Sequence, residues 1–207
     1  MSHHNQPGKR QRGRRRNLSI ETIEYKADDL KLRFHGPSAV IAEMRPIFDE
    51  VMQVFGAARG FHVKGGAYDI VLVGKIRVDA KPGLELVACA YSPDGELSHL
   101  WERVRKGWPP FFRELVPGSF IAISMSRLVW FRSRLGDDAM LVDLADTLHH
   151  ELIHLSTGVL HEGEDDVCLQ DSERFMKKAL EAHPLEDQRA EKVLLRAAAL
   201  RRQTGHG

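Results

Sequence analysis

His150, Glu151 and His154 stand in the pattern H-E-x-x-H. Residues four apart on a helix lie one turn apart on the same face, so two imidazoles at this spacing can reach one ion. A tetrahedral Zn2+ takes nitrogen ligands at roughly 2.0–2.1 Å, which the pair reaches without bending the backbone. Glu151, beside the first histidine, is placed as a general base. A metal lowers the pKa of a water, and the carboxylate takes its proton as the water attacks a polarised carbonyl. Two histidines hold a catalytic zinc poorly, so a third protein ligand is required, with the fourth position left to water. His161 is the first choice, because it follows Gly158, where a helix can end and the chain turn back. Asp171 and Glu173 are the other candidates within reach.

The element that must position these groups runs from Asp137 to Gly158. Asp137 and Asp138 offer an N-cap, and Leu141, Leu144, Ala145, Leu148, Leu152 and Leu155 recur at helical spacing. The pattern reads as one amphipathic helix. His149 points to a different side of it from His150. Asp143 and Asp146 precede the histidines by one to two turns; they read as solvated charges on the helix face, with Asp146 also placed to touch His150.

At these residues the chain resembles the zincin metallopeptidases, in which such a helix carries two zinc ligands and the base. The resemblance implies that His150 and His154 are ligands and Glu151 is the base. It covers about a third of the chain, from the strand-like Ser119–Ser124 to a helix beginning near Asp171, and in layout it is most similar to small SprT-like and minimal zincin proteins. Asp171, four residues before Phe175, holds the place of a third histidine in SprT-like proteins, and Glu173 stands about where thermolysin-like enzymes bring a glutamate. The resemblance implies an α+β fold with a small mixed sheet, the H-E-x-x-H helix and C-terminal helices. It also implies a zinc-dependent peptidase acting on a protein or peptide, held in our reading along Phe120–Ser126.

A chain of 207 residues with 43% hydrophobic content can bury one sizeable core, and residues 18–207 read as one domain. Before it, Lys9 to Arg16 gathers six positive charges in eight residues without an acidic neighbour. Residues 1–17 therefore read as a disordered basic arm that offers contact to nucleic acid. The rival to a peptidase is accordingly a nucleic-acid-associated protein built on a catalytically silent scaffold. No apolar run is long enough to span a bilayer, which with the lack of a signal peptide predicts a soluble cytoplasmic protein. Cys89 and Cys168 are too few for a disulfide framework, and Cys89 is expected inside a buried strand.

The remaining elements follow from punctuation. Leu30–Phe34 alternates as a strand, and Gly36-Pro37-Ser38 opens a helix to about Phe55 that Pro46 should kink or split. Tyr68–Val78 and Leu84–Tyr91 read as a hairpin, Leu97–Lys106 as a short helix and Trp108–Phe112 as an aromatic loop. Asp171–Ala182 and Leu185–Arg202 read as two last helices separated by Pro184.

Overall fold

The protein is described by a computed structural model over residues 19–59, 63–77, 85–94, 98–157 and 167–203. Residues 1–17, read as the basic arm, and His161 lie outside the described residues. In chain order the elements are β1 (Ile20–Ala27), β2 (Leu30–Pro37), α1 (Ser38–Ala58), β3 (Gly66–Val73), β4 (Ile76–Arg77), β5 (Glu85–Leu86), β6 (Ala88–Tyr91), α2 (Ser98–Lys106), α3 (Pro110–Leu115), β7 (Phe120–Ser124), α4 (Met125–Leu135), α5 (Asp137–Thr157), α6 (Val167–Ala182) and α7 (Gln188–Gln203). The class is α+β, with an open five-stranded mixed sheet and, among the described residues, seven helices.

The sheet runs β1-β2-β3-β7-β6. Its centre is parallel, β2 with β3 and β3 with β7, while both outer strands, β1 and β6, pair antiparallel to their neighbours. Every residue of β7 is buried, as a strand paired on both sides and covered on both faces must be. Leu32, Phe34, Ile70, Leu72, Ile121, Ile123 and Ala88 face the main core with α1, α5, α6 and α7. On the opposite face Val71, Phe120, Ala122 and Tyr91 meet Phe112 and Val116 in a second, smaller cluster. In α1, Phe48, Val51 and Phe55 are fully buried at helical spacing, and each aromatic contributes roughly 1.5–3 kcal/mol by leaving water.

Several expectations are corrected. Pro46 does not split α1, which is continuous from Ser38 to Ala58. Pro46 and Ala42 are both exposed, so the carbonyl that loses its N–H partner four residues back faces water. The expected hairpin of Tyr68–Val78 with Leu84–Tyr91 forms only in part: the short β4 and β5 pair antiparallel, Ile76 opposite Leu86, while β3 pairs with β2 and β7 and β6 pairs with β7. Trp108–Phe112 is not a loop throughout, because Pro110 starts α3 at a position whose N–H has no helical partner anyway. β1 and α4 were not anticipated.

None of the described helices is long and apolar enough to cross a membrane. α4 ends and α5 begins at Gly136, whose φ of 88° lies where side chains are strained. Its N–H donates to the Arg132 carbonyl and its own carbonyl accepts from Met140, so one residue closes one helix and opens the next.

Candidate metal centre

α5 is less amphipathic than its sequence suggests. Every residue from Ala139 to His150 is buried, because the helix lies between the sheet and α1, α4 and α6. Asp143 and Asp146 are 2% and 0% exposed, which overturns their reading as solvated charges. Carboxylates this deep cost several kcal/mol unless their oxygens are engaged, so they belong to the polar interior that supports the helix.

One turn of this helix brings the two histidines together. Nε2 of His150 and Nε2 of His154 are 3.2 Å apart, with ring planes 81° to one another. Two nitrogens each about 2.0–2.1 Å from a tetrahedral ion would stand about 3.3–3.4 Å apart, so the spacing suits a shared ion. His150 is buried and His154 half-buried. Nδ1 of His150 lies 3.2 Å from Oγ of Ser172, a wholly buried hydroxyl on α6. That contact fixes the ring's rotation and, with the hydroxyl accepting from Nδ1–H, turns the Nε2 lone pair toward His154.

Glu151 leaves the helix on the side of the sheet edge, where its Oε2 accepts the backbone N–H of Ala90 at 2.7 Å. The strand beside the histidines is therefore β6. This corrects the placing of the substrate along Phe120–Ser126: β7 has partners on both sides, and no described strand pairs with the outer side of β6. Cys89, expected inside a buried strand, is half-buried in this edge strand. Burial, and then the negative charge of Glu151, push its thiol up to about 12. Burial first, and then the neighbouring Cys89, raise the Tyr91 phenol.

The candidates for a third ligand are distributed differently. Asp171 is buried on α6 with Oδ2 3.6 Å from Nε2 of His149, a fully buried ring stacked on Phe175 at 4.4 Å. Glu173 is half-exposed and pairs with Lys177 at 3.0 Å. Among the described residues no group of three or more His, Cys, Asp or Glu side chains is arranged to hold a metal. The described donors that fit an ion are thus His150 and His154.

Sequence reasoning missed Ser172 and the Ala90 N–H. Ser172 had a weak signal, as a small polar residue in the helix after H-E-x-x-H; a backbone donor on a distant strand had none. No protein family, curated protein or solved structure matches the chain.

Proposed function

We propose that the protein is a zinc-dependent metallopeptidase of zincin type, working in the cytoplasm on protein or peptide substrates. The observation that carries this reading is the convergence of His150 and His154 on one point, with Glu151 projecting from the same helical turn to β6, beyond which no described strand pairs.

In this reading His150 and His154 would hold the ion and His161 would be the third ligand, with Asp171 and Glu173 as its rivals. A bound zinc supplies a Lewis acid that polarises the scissile carbonyl and lowers the pKa of water. Ser172 accepts from Nδ1–H of His150, the tautomer that leaves the Nε2 lone pair for an ion. The outer edge of β6 orients an extended polypeptide by backbone hydrogen bonds. Glu151 takes a proton from the attacking water on a carboxylate oxygen and delivers it to the leaving amine nitrogen.

The rival, a nucleic-acid-associated protein on a silent scaffold with residues 1–17 as the contact, has no use for a carboxylate between the histidine pair and an open strand edge. The test compares wild type with Glu151→Gln. Purified wild type is expected to carry about one zinc per chain and to cleave an unfolded polypeptide, whereas Glu151→Gln keeps the zinc and the melting temperature and loses hydrolysis, typically by 10²-fold or more. Equal hydrolysis by both proteins, or no zinc after purification with zinc present, refutes the assignment.

A further inference from the structure

Among the described residues β6 is the last strand of the sheet, and the bonds of its neighbours show which of its backbone groups point outward. Ser124 donates its amide to the Val87 carbonyl at 2.8 Å, and the register sets Cys89 opposite Ala122 and Tyr91 opposite Phe120. Residues 87, 89 and 91 therefore turn their N–H and C=O groups toward β7, and alternation leaves those of Ala88 and Ala90 on the outer side. One of these outward groups is already used. The Ala90 N–H donates to Glu151 Oε2 at 2.7 Å, a short bond to an acceptor that carries charge when ionised.

The side chains on the helix-facing side of this strand are both methyl groups. Ala88 is buried in the main core and Ala90 is half-buried, so α5 comes close enough for a glutamate to reach the strand backbone. The base and an arriving strand therefore meet at the same donor.

We infer that β6 holds Glu151 in reserve, and that an extended polypeptide adding to the outer edge of β6 takes the Ala90 N–H for one of its own carbonyls and releases the carboxylate into the cleft. The inference rests on the peptidase reading and adds a control to it: the base is freed where a polypeptide strand is seated, and small carbonyl compounds that cannot form a strand leave it bound. The arriving strand replaces a bond to a charged acceptor with one between neutral groups, and that exchange weakens its binding about tenfold.

The experiment uses the full chain stripped of metal, so that nothing is cleaved, and fluorescein-labelled β-casein as an unfolded polypeptide read by anisotropy. Glu151→Ala is expected to bind casein about tenfold more tightly than wild type. In an Ala90→Pro background, where the contested N–H is gone, Glu151→Ala is expected to change nothing. By hydrogen exchange the Ala90 amide is expected to be protected in wild type, unprotected in Glu151→Ala, and protected again when casein is added to that variant. This measurement needs no proline variant and decides alone should Ala90→Pro not fold. Equal affinity of wild type and Glu151→Ala overturns the inference, as does equal tightening in the proline background, which would mark a plain loss of charge. Casein binding to no variant overturns it as well, by removing strand addition, while a zinc content still near one per chain shows that the metal assignment did not fall with it.

Discussion

Replacing Ser172 by alanine tests whether the α5–α6 contact positions a metal ligand or only fills space. The hydroxyl is wholly buried, 3.2 Å from Nδ1 of His150, so its loss removes the group that fixes the ring's rotation and tautomer. Partners of this kind are worth roughly 10- to 100-fold in metal affinity, or about 1.4–2.7 kcal/mol. Removing one oxygen costs the metal-free fold about 1 kcal/mol, the usual net value of a neutral hydrogen bond. The two effects separate by assay. Competition against a chromophoric chelator gives the zinc affinity, and thermal unfolding of the metal-free protein gives the stability. Ser172→Ala should lose zinc affinity at least tenfold while its metal-free melting temperature falls by only a few degrees. An affinity within twofold of wild type would show that Ser172 does not orient His150 for an ion, and the reasoning from the Nδ1 contact would fail.

The third ligand is ranked by substitution: His161→Ala should lower zinc affinity strongly while Asp171→Ala and Glu173→Ala leave it near wild type, as the partners of these carboxylates, His149 and Lys177, suggest. Normal zinc binding by His161→Ala with loss in one acidic variant would move the assignment to α6. Cys89 should resist alkylation. Its thiol is pushed from 9.0 up to about 12, first by burial, so at pH 8 the native thiolate fraction is about three orders of magnitude below that of the unfolded chain. The sign for stability follows: the thiol form favours the fold, its contribution is complete below about pH 9, and it is lost as pH rises toward 12. Iodoacetamide labelling of the Cys89 peptide at similar rates in native and denatured protein would contradict this.

What could be read from the sequence was local. The span of α5 followed from its caps and its 3.6-residue period, and the pairing of His150 with His154 followed from that helix alone. α2 was legible in the same way. What could not be read depended on partners far along the chain. Phe120–Ser124 was visible as a strand, but whether it lay at the edge or the centre depended on β6, thirty residues earlier, folding against it. The hairpin expected of Tyr68–Val78 and Leu84–Tyr91 formed only at Ile76–Arg77 with Glu85–Leu86 for the same reason, since β-branched runs announce strands and not neighbours. The burial of Asp143 and Asp146 was hidden because a carboxylate looks the same in sequence whether water or protein surrounds it. The all-round packing of α5 is a property of the elements that enclose it.

The two halves of the site differ in how far the chain must reach to make them. His150 meets Ser172 across 22 residues, through a contact between successive helices, whereas Glu151 meets Ala90 across 61, and only after β6 has aligned with β7. Loop closure disfavours the second contact kinetically, and pairings distant in sequence form late. A folding chain should thus join His150 to Ser172 before β6 meets Glu151, an order that pulsed hydrogen exchange on the α5 and β6 amides would show or deny. For the peptidase proposed above, this order means that during synthesis and refolding, when unfolded copies are abundant nearby, a chain would have its histidine pair in place without yet being a protease, and so be spared from digesting its own kind.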